Sequence, residues 1–247
     1  MTYCVAMRLK TGLVMLADTR TNAGVDNIAT FRKLTVVETP GERVIGVMTA
    51  GNLAVSQAVL SLLLEQGVSV RDGEPPQTLY TVPTMVRAAQ LVGQAIREVY
   101  QVDGPSLEAQ ASDFNVSILL GGQIGSGKMR LFQLYAAGNF IEATEDTCFL
   151  QIGEHKYGKP ILDRAASYDT GVGDALKLAL ISMDSTIRSN LSVGLPVDLM
   201  VYRRDALKVA LQKRVREDDP YFKGLRQAWS DALTRAYLAI EGPDWDF

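Results

Sequence analysis

The chain has 247 residues, of which 47% are hydrophobic and 21% charged, and a formal net charge of −3. That length suits one large domain or two small ones, and the acidic balance offers no basic surface for nucleic acid. No apolar run reaches the ~18–20 residues of a membrane span, and MTYCVAMRLK lacks the order of a signal peptide, so a cytoplasmic protein that engages no membrane is expected.

Two cysteines, Cys4 and Cys148, make no disulfide framework and fit a reducing compartment. The single histidine, His155, cannot build a multi-histidine metal site, and a Ser-His-Asp triad would need it as the base. No metal and no cofactor are expected.

In MTYCVAMRL, Tyr3, Val5, Met7 and Leu9 alternate with smaller or polar residues, which predicts a half-buried strand. Lys10-Thr11-Gly12 predicts a three-residue hairpin loop into GLVMLAD. The polar stretch TRTNAGVDNIATFRK follows, then a second hairpin, LTVVET and RVIGVMTAG, around a Pro40-Gly41 turn. After Gly51 the apolar spacing of Val55, Val59, Leu62 and Leu63 becomes helical and ends at Gly67. The loop RDGEPPQTLYTVP leads to a second helix over TMVRAAQLVGQAIREVY. FNVSILLGG and KMRLFQLYAAG predict strands, with a shorter one at CFLQIG. Two helices, around KPILDRAA and DALKLALISMDSTIRS, precede VDLMVYRRD as the last strand.

A C-terminal helix starts at the Asp219-Pro220 cap. It carries Leu225, Trp229, Leu233, Tyr237 and Ile240 on one face, serving either the chain's own core or a contact between subunits. Strands, two helices, strands, two helices, then strand and helix is not βαβ alternation. It predicts an α+β fold: an αββα four-layer sandwich of two antiparallel sheets flanked by helices. One domain over 1–247 is expected, with a helical extension over 219–247.

GGQIGSGKM imitates a phosphate-binding loop from Gly122 to Gly127-Lys128. Met129 stands where that motif needs Ser or Thr, and the next segment reads as strand instead of helix. A glycine-rich hairpin turn is expected there.

Removal of Met1 would leave Thr2 with a free α-amine beside its own hydroxyl. Such an amine has a pKa of about 7.7–8.0 and is partly neutral near pH 7. A hydroxyl needs a base to attack well, and an N-terminal amine can be that base. A strand beginning at Tyr3 would hold the nucleophile in register.

Thr2 on a strand, Asp18 in MLADTR, Lys33 closing FRK, and Ala50-Gly51 in TAGN together resemble the proteasome β-subunit family of N-terminal nucleophile hydrolases. TRTNAGVDNIATFRK, IGEHKYGKPILDR and DSTIRSNLSVGLPVDL are similar to its bacterial Anbu branch, the proteasome-type peptidases, more than to HslV or true proteasome β subunits. The resemblance covers nearly the whole chain. The Thr-to-Lys spacing is one residue shorter than in most of the family.

The resemblance implies a threonine peptidase or amidase acting on peptide substrates. Thr2 Oγ would attack a carbonyl while the Thr2 amine takes the proton. Lys33, kept charged by Asp18, would favour the ionised hydroxyl. The Gly51 N–H would face the developing oxyanion. Asp184 in MDSTIRSN matches an aspartate that supports the amine; the family's serine three residues on is Ile187 here, and Ser189 is the nearest equivalent. Where related chains read Ile-Gly-Ser-Gly, this one reads Ile152-Gly153-Glu154-His155. Glu154 would either hold the amine charged or serve as a base itself. Thr49 would line the specificity pocket, with Thr21, Asn22 and Leu53 nearby, making it small and mixed.

Relatives assemble into rings, closed or open and helical, so self-association is implied. ATP-grasp and transglutaminase-like proteins are implied as functional companions. They support a second reading, a specialised amidase or acyl-transferase on small or modified peptides. A third reading is a non-catalytic assembly scaffold, which needs none of Thr2, Asp18, Lys33 and Gly51. The tail Asp244-Trp245-Asp246-Phe247 has little need of its two aromatics unless it docks.

Overall fold

A computed structural model describes residues 2–22, 28–71 and 73–245. The first half of the chain supplies β1 (Tyr3–Leu9), β2 (Gly12–Asp18), the short pair β3 (Arg20–Asn22) and β4 (Ile28–Thr30), β5 (Leu34–Thr39) and β6 (Arg43–Gly51). Then come α1 (Leu53–Ser61), which runs into a π-helical turn at Leu62–Gln66, and α2 (Met85–Ala109). The second half supplies β7 (Val116–Ile124), β8 (Arg130–Leu134), β9 (Phe140–Glu142), β10 (Phe149–Gly153), α3 (Lys159–Ala165), α4 (Val172–Ser189), β11 (Val197–Arg203), β12 (Val209–Val215) and α5 (Pro220–Leu238). Two five-stranded sheets result, ordered β10-β1-β2-β11-β12 and β5-β6-β7-β8-β9, and every pairing is antiparallel.

Strand alternation explains how four layers stack. Tyr3, Val5, Met7, Leu9, Val14 and Leu16 point to one side and pack with residues of α3, α4 and α5. Cys4, Ala6, Leu13, Met15 and Ala17 point to the other and meet Val44, Met48, Leu119 and Leu131 of the second sheet. The far face of that sheet, with Ile45, Val47, Ile118, Leu120 and Phe132, packs on α1 and α2 through Val55, Val59, Leu91, Val92 and Ile96. The layering is the expected αββα sandwich.

Several local expectations need correction. β1 is buried on both faces instead of one, because its small residues Cys4 and Ala6 face the layer between the sheets. The β1–β2 connection is the two residues Lys10-Thr11, since Gly12 already pairs with Leu9. VDLMVYRRD is not the last strand. β12 follows at the sheet edge, mostly exposed and carrying Lys213 and Arg214, so its apolar alternation is weak. α2 continues past Tyr100 through Pro105 to Ala109. Its end is held by the Tyr100 hydroxyl donating to Glu108 at 2.7 Å and by an edge-on contact between Tyr100 and Phe114. GGQIGSGKM is the expected hairpin turn between β7 and β8.

The Asp219 side chain caps α5 by accepting from the Phe222 N–H at 2.9 Å. Phe222 is buried and Leu225 packs partly against the core, but Leu233, Tyr237 and Ile240 are 50%, 71% and 75% exposed. The far end of the apolar stripe therefore lies outside the chain's own core. No helix among the described residues is long and apolar enough to cross a membrane.

Tyr3 anchors β1 beneath α4: its hydroxyl shares a 3.0 Å hydrogen bond with Ser182 Oγ and accepts from Gln151 Nε2 at 2.6 Å. Burial pushes its phenol up to about 12 from the usual 10.0. The fold thus favours the neutral phenol. The stability this contributes is complete below about pH 10 and is lost as pH rises through about 12. Two pH units correspond to about 2–3 kcal/mol. Chemical denaturation between pH 9 and 12 is expected to show a fall, and Tyr3→Phe to lessen it by about that amount above pH 10. Cys4, Cys148 and Tyr202, whose thiols and phenol burial also raises, keep a substantial slope in the variant. An undiminished fall in Tyr3→Phe would refute the assignment.

Candidate active site

Asp18 ends β2, the strand beside β1, and is fully buried. Its Oδ1 accepts from Lys33 Nζ at 2.8 Å and from the Tyr3 N–H at 3.0 Å; its Oδ2 accepts from the Gly194 N–H at 3.4 Å. Lys33 Nζ also donates to the Arg20 carbonyl at 2.6 Å. The two charged side chains are 6% and 0% exposed. Burial pushes the Asp18 carboxyl above the ordinary carboxylate value, while the Lys33 ammonium and then the N–H groups of Tyr3 and Gly194 pull against it. A buried ion pair holds only when further hydrogen bonds satisfy its remaining valences, and this one has them on both sides.

Lys33 is fixed from the second sheet as well, because its carbonyl accepts from the Thr49 N–H on β6 at 3.0 Å. Two residues later β6 ends at Gly51, with φ +110°. A Cβ there would stand 2.2 Å from the Asn115 carbonyl oxygen, so the position requires glycine. Asn52 donates its N–H to that same oxygen at 2.7 Å and caps α1 through its side chain, which accepts from the N–H groups of Ala54 and Val55. Gly51 therefore stands at the entrance to a helix N-terminus, where backbone dipoles favour negative charge.

Thr2 lies just ahead of β1 and is 9% exposed. Its carbonyl accepts from the Glu154 N–H at 2.6 Å, which extends the β1–β10 ladder one step beyond the Tyr3–Gly153 pair. Gly153 has φ +81°, and a Cβ there would stand 1.9 Å from the Thr2 carbonyl oxygen. Only glycine lets the two strands close at this point.

These elements enclose a cleft of about 320 Å³ lined by Thr2, Thr21, Asn22, Lys33, Thr49, Ala50, Gly51, Leu53, Ser56, Asn115 and Gly153. Thr2, Lys33 and Gly51 thus meet in one cleft with Thr21, Asn22, Thr49 and Leu53, and Asp18 stands behind Lys33. Asp184 and Ser189 are not among the lining residues. Asp184 sits on the seam between α4 and α5, where its oxygens accept from Arg226 Nε at 2.5 Å and Arg188 Nε at 3.0 Å. Ser189 is exposed at the C-terminal end of α4.

The segment after α4 is what borders the site. Asn190 Nδ2 donates to Glu154 Oε2 at 3.1 Å, and the Gly194 N–H reaches Asp18. Sequence reasoning named neither residue; the only trace was NLSVG at the end of a predicted helix. Asn115 and Gly153 were missed as well, since their roles lie in the close approach of distant backbone. Among the described residues, no group of three or more His, Cys, Asp or Glu side chains is placed to hold a metal ion.

A threonine leading into a central strand of paired antiparallel sheets between helices, beside a buried Lys–Asp pair, defines the N-terminal nucleophile fold of the proteasome β-subunit class. The chain matches the solved structure of an Anbu (Gly-1) mutant from Hyphomicrobium sp. strain MC1 with TM-score 0.90 and 54% identity, over 99% of this chain and 100% of that one. Anbu, an ancestral β-subunit, from Yersinia bercovieri matches with TM-score 0.90 and 49% identity over 99% and 100%. A helical assembly of the Anbu complex from Pseudomonas aeruginosa gives TM-score 0.90 and 52% identity over 98% of each chain. The chain belongs to the Anbu family. No family model matches it, and no curated protein does.

Proposed function

We propose that the chain is a proteasome-type threonine peptidase or amidase in which Thr2, freed of Met1, is the nucleophile and its own α-amine the base. The observation that carries this reading is the buried Lys33–Asp18 pair opening on a cleft that also holds Thr2 and Gly51. The Lys33 ammonium at the cleft wall favours an ionised Thr2 hydroxyl. The Gly51 N–H supplies the donor for the oxyanion. Asp184 and Ser189 stand outside this scheme.

The small cleft, with Thr21, Asn22, Thr49, Ser56 and Asn115 in its walls, favours small or modified peptides over long apolar ones. A specialised amidase is therefore the second reading. Free, buried Cys4 and Cys148 fit a reducing compartment, the cytoplasm.

The intact mass of the protein before and after incubation with a peptide epoxyketone tests the nucleophile, since that warhead needs a hydroxyl and a free amine on one residue. The expected result is loss of the Met1 mass and one adduct per chain, absent in Thr2→Ala. Met1 retained throughout with no adduct would favour the scaffold reading.

Self-association is part of the proposal. The Pseudomonas aeruginosa relative forms a helical assembly, and Leu233, Tyr237, Ile240 and Trp245 leave an exposed apolar face near the C-terminus of this chain. Deleting residues 242–247 is expected to lower the sedimentation coefficient of the assembly; an unchanged profile removes the tail from the contact.

A further inference from the structure

Asp18 and Lys33 cancel each other's charge, and Glu154 has no part in that balance. Glu154 is only 8% exposed, and its carboxylate accepts from the Asn190 side chain but meets no cation among the described residues. A carboxylate taken out of water is costly unless a positive charge meets it. Glu154 is also laid directly against residue 2, because its own N–H donates to the Thr2 carbonyl at 2.6 Å.

We propose that Glu154, oriented by Asn190, is the counter-ion of the α-ammonium that Met1 removal creates on Thr2. This rests on the reading of Thr2 as the processed terminus and adds a regulated protonation state to it. Glu154 acts through the amine and is a positioning residue. An opposite charge within about 4–6 Å favours the charged form, so the amine's pKa rises above the ordinary ~8. At neutral pH most chains then carry a protonated amine that cannot accept the Thr2 hydroxyl proton. Reactivity climbs about tenfold per pH unit until the raised pKa is passed.

The other charged groups around this end of β1 are already engaged. Asp18 and Lys33 hold each other, and Asp184 on α4 holds Arg188 and Arg226. Arg20 on β3 donates to the Leu191 carbonyl. The Tyr3 phenol, held near 12, stays neutral. His155 is exposed, with its Nδ1 3.2 Å from the Gly153 carbonyl, and it serves as the control.

The test uses full-length protein cut from an N-terminal fusion so that Thr2 is the first residue, whatever natural processing does. The α-amine pKa is read from the pH dependence of its acylation by an anhydride, followed by the mass of the N-terminal peptide. The expected pKa is about one unit or more above the ordinary ~8 in the unaltered chain and in His155→Gln, returning to the ordinary value in Glu154→Gln. Glu154→Gln keeps an acceptor for Asn190; Glu154→Ser, which leaves room for water, is the second variant and should match it. Equal pKa values with and without Glu154, or a shift that follows His155, would overturn the proposal. The readout needs no turnover, so a raised and Glu154-dependent pKa with no epoxyketone adduct would sink the peptidase reading alone.

Discussion

Lys33→Ala is expected to abolish epoxyketone labelling and to destabilise the fold by about 3–5 kcal/mol at pH 7, because it leaves the Asp18 carboxylate buried and unpaired. The sign of the pH dependence distinguishes this from a simple packing loss. Burial already pushes the Asp18 carboxyl up, and Lys33 is the strongest influence opposing it. Without the ammonium the folded-state value rises further above the unfolded one. The variant's deficit is therefore smallest below the ordinary carboxylate value and grows as pH rises through the folded-state value. Adding Asp18→Asn should recover much of the stability at pH 7, since a neutral amide there can still accept from Tyr3 or Gly194. It should recover none of the labelling. Denaturation curves at pH 5 and 7 and intact mass decide the matter; full labelling of Lys33→Ala would remove Lys33 from the mechanism.

Gly51→Ala is the second large effect. The alanine Cβ would meet the Asn115 carbonyl oxygen at 2.2 Å while its backbone is held at φ +110°. Strain of that kind costs on the order of 1–3 kcal/mol, and the turn must shift to relieve the contact. A shift moves the N–H assigned to the oxyanion, and losing one such donor costs about 10²–10³ in rate. Labelling is expected to slow by at least about 100-fold, out of proportion to the fall in Tm. Asn52→Ala supplies the comparison: it removes the α1 cap for about 1 kcal/mol and leaves Gly51 glycine. Equal losses of labelling in the two variants would show that α1 stability, and not the Gly51 donor, governs the rate.

The expectations met by the fold and those it corrected differ in how far apart the interacting residues lie. Periodicity placed β1, β2, β5, β6, α1, α4 and α5, because each shows its own apolar face within a few turns or pairs. β12 escaped because an edge strand with Lys213 and Arg214 has little apolar face to show. The expected second helix ends at Tyr100, whereas α2 runs on to Ala109 with the Tyr100 contacts to Glu108 and Phe114 holding its last turns. At the site, Thr2, Asp18, Lys33 and Gly51 stood at the ends of legible elements. Asp184 was matched by local motif, yet the packing of α5 gives its carboxylate to Arg226.

By itself the sequence determined most of the strands and helices and the layered class, which depend on local period and on caps. It supplied the candidate nucleophile with its lysine, aspartate and glycine through its resemblance to the proteasome β-subunit family. Tertiary structure alone decided which residues after α4 face the site, why Gly153 must be glycine, and that Asn190 holds Glu154. Glu154 and Asn190 are 36 positions apart, and Asp18 and Gly194 are 176 apart. A hydrogen bond between such distant residues exists only once the sheets have closed on each other, and it leaves no periodic mark in the chain.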